Sequence, residues 1–95
     1  MIVGTLKLTF RLYALSSLKE KRGIIKKMVE RTKNRFNASV AETGLNDFID
    51  KAEIGVAVAG NDAAFVNSKL DKIVSFIDDM CLAEIIDVEM EVINL

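Results

Sequence analysis

The sequence has no histidine, a single cysteine, and no apolar run approaching membrane length. Each absence removes a class of function. Without histidine, the commonest general acid–base and nucleophile-activating side chain is missing. Cys81 has no partner for an internal disulfide and stands beside apolar Leu82 without a basic activator, so it reads as a buried or inert thiol. The longest apolar stretch, Val56 to Ala59 with its glycine neighbours, is far too short to span a bilayer, and no membrane partner is expected. Gly60-Asn61-Asp62 lacks the Gly-Lys-Ser/Thr continuation of a phosphate loop and fits a turn followed by a helix cap. Asp87, Glu89 and Glu91 offer oxygens for a hard cation, but three acids on a strand facing a basic strand are more simply ion-paired. The expectation is a non-enzymatic protein with no cofactor, no metal and no catalytic residue.

Ninety-five residues, 51% of them apolar, suffice for one modest core and not for two, so residues 1–95 are read as a single domain. The chain opens on an alternating strand pattern, Met1-Ile2-Val3-Gly4-Thr5-Leu6-Lys7, without a charged leader or cleavage site, and a cytoplasmic location is expected.

Periodicity supplies the elements. Ile2, Leu6, Leu8, Phe10 and Leu12 alternate with Thr5, Lys7, Thr9 and Arg11, the period of a half-buried strand. Ser17-Leu18-Lys19-Glu20 fits a capping box and predicts a helix from Leu18 to about Asn34–Asn37, with Leu18, Ile25, Met28, Val29, Thr32 and Phe36 on its inner face. A short strand is predicted over 38–42 and a polar loop from Gly44 through Lys51 carrying the apolar pair Phe48 and Ile49. A buried strand follows over 53–59, then a helix capped near Asp62 with Val66, Leu70, Ile73, Val74, Ile77 and Met80 inward. Ile86, Val88, Met90 and Val92 alternate with Asp87, Glu89 and Glu91 in a closing strand with an acidic outer face. Two one-sided helices and four strands in the order βαββαβ predict an α+β, ferredoxin-like sandwich, a four-stranded antiparallel sheet with both helices on one face. Pairing of the first and last strands then brings Lys7 and Arg11 near Asp87, Glu89 and Glu91.

Charge is divided between the halves. Residues 1–36 hold ten lysines and arginines against Glu20 and Glu30, a net of +8, whereas residues 37–95 hold three lysines against twelve carboxylates, a net of −9. Such asymmetry points toward nucleic acid or another polyanion. On a helical wheel Lys19, Arg22, Lys26 and Lys33 fall within about a 60° arc, and Lys27, Arg31 and Arg35 form a second row at spacings of four. Lys19, Lys21 and Arg22 sit at the positive end of the helix dipole, where helix stability alone would not select cations. Free amides and hydroxyls at Ser16 and Ser17 beside Lys19 and Arg22 are what a phosphate site needs. The bland alternative is a solvated helix face balanced by the acidic second half. A sheet that stacks RNA bases requires exposed aromatics on its first and third strands. Here those positions are Thr5, Lys7, Thr9 and Gly55, Ala57, Ala59, so RNA contact is expected through phosphates and with little sequence preference.

Three blocks, Ser17 to Arg22, Arg35 to Glu42 and Gly55 to Asp62, occur in an order that resembles the YlxP-like family of small bacterial proteins. The resemblance implies a ferredoxin-like fold in a bacterial cytoplasmic protein of uncharacterised function. Family genes often lie among genes for translation and ribosome maturation, which implies ribosomal RNA or the ribosome as partner. No catalytic residue is carried over, and Phe48 stands where the family usually has tryptophan in the central loop. The reading from sequence is therefore a ribosome- or RNA-associated accessory protein, with Ser17, Lys19, Arg22, Lys26, Lys27, Arg31, Lys33 and Arg35 as nucleic-acid contacts. The rival is a protein-interaction or homodimerisation module pairing through the open sheet face, with Val3, Ile93 and the Phe48 loop in the contact. A small-molecule regulatory domain is a third option.

Overall fold

Apolar side chains at alternate strand positions bury only if a second layer covers them, and two amphipathic helices supply that layer. The computed structural model, which describes residues 1–95, runs β1 (Ile2–Arg11), α1 (Leu18–Arg35), β2 (Ser39–Gly44), β3 (Lys51–Gly60), α2 (Ala63–Asp79) and β4 (Glu84–Asn94). The strands form one sheet in the order β2-β3-β1-β4, antiparallel at every pairing. Each βαβ unit is split by a strand of the other, which is the ferredoxin-like arrangement. The elements expected from periodicity are all present; the middle strands run longer than predicted, because Thr43-Gly44 and Lys51-Ala52 also join the ladder.

One apolar cluster fills the space between the layers. Leu6, Leu8 and Phe10 of β1 and Ala52, Ile54, Val56 and Val58 of β3 meet Ile25 and Met28 of α1 and Val66, Leu70, Ile73 and Ile77 of α2. Thr32 is buried among them, and its hydroxyl donates to the Met28 carbonyl one turn back at 2.7 Å, so the polar group is satisfied within the helix. Close approach of α2 to the sheet depends on Gly4. A Cβ there would lie 2.5 Å from Val66 Cγ1 and 2.8 Å from Leu70 Cδ1.

Three features depart from expectation. A register shift between Thr9 and Phe10 brings Ile85 rather than Ile86 against the core, and Ile86 is 44% exposed. Val88 and Val92 of β4 lie opposite Leu8 and Gly4 on the helix-covered side, yet they remain 42% and 36% exposed. β4 is an edge strand of the sheet, with no strand beyond it to help cover these side chains. Cys81 is exposed rather than buried: it follows the last turn of α2 in left-handed backbone (φ 54°), and its amide donates to the Asp78 carbonyl at 3.1 Å.

Two glycine substitutions should have opposite signs. Gly4→Ala should destabilise by about 1–3 kcal/mol through overpacking against Val66 and Leu70. Gly23→Ala, on the exposed side of α1 with nothing within 4 Å of the added methyl, should stabilise by about 0.5–1 kcal/mol. Urea denaturation of both variants checks the pair.

Candidate nucleic-acid interface

Helix α1 begins where the sequence signals it. Ser17 is extended (φ −156°, ψ 159°) and its hydroxyl oxygen accepts from the Glu20 amide at 3.2 Å. The other half of the expected capping box is displaced by one residue. The Glu20 carboxylate accepts from the amide of Ser16 at 3.4 Å and from the Ser16 hydroxyl, not from the amide of Ser17. A carboxylate thus already serves the helix start, and Ser16 and Ser17 are engaged in holding the chain rather than standing free for a phosphate.

Lys21 is not on the outer surface with its charged neighbours. It projects inward on the face of Ile25, Met28 and Thr32 and is 1% exposed. Its Nζ donates to the Leu45 carbonyl at 2.6 Å and lies 3.6 Å from Glu42 Oε2. The same carbonyl accepts from the Phe48 amide at 3.2 Å, closing the turn after β2, where Leu45 takes left-handed backbone (φ 57°). A spacing of four from Ile25 was the signal in the sequence; charge alone argued for the surface. Phe48 lies on the outside of this loop, half exposed, with the Lys51 ammonium 5.9 Å from its ring centre.

The remaining cations of α1 are all turned to solvent: Lys19, Arg22, Lys26 and Lys33 in one row, Lys27, Arg31 and Arg35 in the other. The first row rises about 21 Å along the helix from Lys19 to Lys33. None of the seven is ion-paired; the ion pairs of the molecule are Lys7–Glu89 and Lys21–Glu42. The acidic half of the chain therefore does not neutralise the helix within one molecule. At the end of the second row Arg35 lies over the Phe36 ring, 5.4 Å from its centre, and faces Lys69 and Lys72 of α2 across a cleft. Sequence reading missed this convergence. The available signal was that Lys69 and Lys72 are the only cations of α2 and lie off its apolar face.

On the open sheet face the register sets Thr5 opposite Ala57 and Glu91, Lys7 opposite Gly55 and Glu89, and Thr9 opposite Glu53 and Asp87. None of the strand residues on this face is aromatic; the exposed Tyr13, just beyond β1, lies at its end. Lys7 Nζ lies 2.7 Å from Glu89 Oε2, and that hydrogen bond and charge hold the lysine above its ordinary pKa. The lysine's part in the pair is thus intact at neutral pH and is lost as pH rises through the raised value. Arg11 stands opposite Glu84, which accepts from the Tyr13 hydroxyl at 3.1 Å. Val3 and Ile93 face each other at one end of this surface, each half-buried.

Comparison with known proteins agrees with the fold and leaves the activity open. Residues 3–90 match the family described as "Protein of unknown function (DUF503)". The chain is 33% identical over 67 residues to "Uncharacterized protein YlxP" of Bacillus subtilis (strain 168), covering 70% of this chain and 73% of that one. Among solved structures, the de novo designed protein Foldit4 superposes with a TM-score of 0.59 at 15% identity, covering 99% of this chain and 97% of that one. Protein YJCS superposes with a TM-score of 0.54 at 14% identity, covering 97% and 99%. A variant of SnoaB, a cofactor-independent oxygenase from Streptomyces nogalater, gives 0.51 at 8% identity, covering 98% and 92%. These three likenesses show the fold alone. No helix is long and apolar enough to cross a membrane.

Removing the buried ammonium leaves the Leu45 carbonyl and the Glu42 carboxylate short of a donor. Lys21→Ala should cost about 2 kcal/mol, as loss of a charged hydrogen-bond partner does. Lys19→Ala, at the exposed neighbouring position, should change stability by less than about 0.5 kcal/mol. Thermal and urea unfolding of the two variants measures the difference.

Proposed function

The chain belongs to the DUF503 family, the YlxP-like proteins of unknown function, and from that premise we propose that it is a non-enzymatic accessory protein that binds RNA, free or in the ribosome, in the bacterial cytoplasm. The observation that carries this reading is that seven exposed cations stand in two rows on α1 without a single ion pair. Seven like charges on one helix, offset on its outer side by Glu30 alone, repel one another, and a bound polyanion relieves that repulsion while its own counterions are released. Contact runs along the helix rather than at its start, since Glu20 occupies the first turn. With no aromatic on the open sheet face, bases are not read there, and recognition is of backbone charge.

A second reading rests on the sheet. Its open face has a shallow hollow of about 390 Å³ floored by Ala41, Gly55 and Ala57, which gives a flat surface onto which a second copy can stack. The β4 edge is a poorer route to a dimer. Symmetric antiparallel pairing of β4 with itself about its midpoint sets Glu89 against Glu89 and Asp87 against Glu91, and like charges directly opposite are destabilising. Analytical ultracentrifugation across a concentration series separates the readings, with a monomer throughout contradicting the dimer.

Engagement of about four phosphates of a single strand should make log K fall against log salt with a slope of roughly −3. Replacing Lys19, Arg22, Lys26 and Lys33 with glutamate should abolish binding to single-stranded RNA in fluorescence anisotropy and leave the far-ultraviolet circular dichroism unchanged. Undiminished affinity in that variant contradicts the proposal.

A further inference from the structure

The cleft between the carboxy-terminal end of α1 and the first turns of α2 holds features that a charged helix alone does not explain. Phe65, Ser68, Lys69 and Lys72 are spaced as i, i+3, i+4 and i+7 and line one side of it; Arg35 and Phe36 line the other. The cleft is half open to solvent and its volume is about 260 Å³, below the range of about 300–1,000 Å³ usual for drug-sized ligands. It admits one small planar group with its phosphate, not a folded partner.

The parts are held in place. Arg35 lies over Phe36, whose ring meets Phe76 edge-on with centres 5.4 Å apart and planes at 83°. Lys69 Nζ donates to the Asn37 carbonyl at 2.8 Å, which fixes the ammonium at the mouth of the cleft and leaves two of its protons free. None of the three cations has a carboxylate partner within ion-pair distance. Asp71 and Asp79 line the adjoining hollow together with Arg35 and Lys72, so the positive region ends there. Phe65 is 65% exposed, off the buried face of Val66, Leu70, Ile73 and Ile77, although its backbone is fixed by the Asp62 cap at 2.9 Å. The fold gains nothing from an apolar ring left in water beside three converging cations.

We propose that this cleft binds one nucleotide of a single-stranded RNA, its base stacked on Phe65 and its phosphate held by Arg35, Lys69, Lys72 and the Ser68 hydroxyl. The inference rests on the RNA-binding reading and sharpens it. Arg35 ends the row that begins at Lys27 and Arg31, so a backbone following that row is delivered to the cleft. The rest of the strand is held by charge alone; the cleft adds a preference for an unpaired base, because only a base free of its helix presents a face to an aromatic ring.

The test compares a fluorescein-labelled adenosine 12-mer with an abasic 12-mer of the same length, which carries the same phosphates and no bases. The wild-type protein should bind the adenosine strand about tenfold more tightly, the size expected of one base–aromatic stack. Phe65→Ala should erase that preference without weakening abasic binding, and Phe65→Tyr should retain it. Because Phe65 is mostly exposed, the substitution spares the fold, which circular dichroism verifies. Equal affinity of the wild type for both strands overturns the cleft and leaves the charged helix standing; binding of neither strand overturns both. Adenosine monophosphate serves as competitor. Displacement of the strand only at concentrations far above that of the competing oligomer supports RNA as the source of the nucleotide, whereas equal potency in a Lys72-sensitive manner contradicts it.

Discussion

The inward turn of Lys21 fixes what the rest of the surface can do. A helix lying on a sheet has one free rotation about its own axis, and apolar residues set it only coarsely. Here the ammonium of Lys21 reaches the Leu45 carbonyl and Glu42, tying the first turns of α1 to the loop between β2 and β3. With that angle set, Ile25, Met28 and Thr32 face the core, and the two rows of cations lie on the outer side. The buried cation and the apolar face thus agree in turning the other seven outward. The same contact satisfies the carbonyl of Leu45, a non-glycine residue in left-handed backbone, so the loop and the helix are stabilised together.

Much of this architecture was legible because its signals are local. Strand alternation in Ile2–Arg11, the Ser17 and Asp62 caps, and the apolar face of α2 each follow from neighbours a few residues away, and each appears where it was expected. The less legible features depend on where distant segments meet. Nothing near Lys21 in the chain announces Leu45, so its charge argued for solvent while its position argued for the core. The exposure of Val88 and Val92 goes with the place of β4 at the sheet edge, which alternation cannot report. The cleft at Arg35 is of the same kind: Phe65, Lys69 and Lys72 lie some thirty residues away in sequence and become neighbours only when α2 packs beside α1.

Charge is segregated by surface as well as by sequence. The acidic residues of β4 lie on the open face beside Lys7, where Glu89 is already paired, while the free cations lie on α1 and at the end of the groove between the helices. A phosphate backbone approaching α1 therefore meets positive charge without passing over the acidic strand, while Asp71, Asp78 and Asp79 on α2 limit that positive region within the helical layer. The open face, with threonines and small residues at its centre and no ring to stack a base, remains available for a contact of another kind.

The most direct test of this account is a nuclear magnetic resonance titration of the isotopically labelled protein with a short single-stranded RNA. Perturbed amides confined to Lys19 through Arg35 and to the stretch from Phe65 to Lys72, diminishing as salt is added, are the predicted result. Perturbations centred on Thr5, Lys7, Gly55 and Ala57 of the open sheet face, or none at any RNA concentration in low salt, would contradict it.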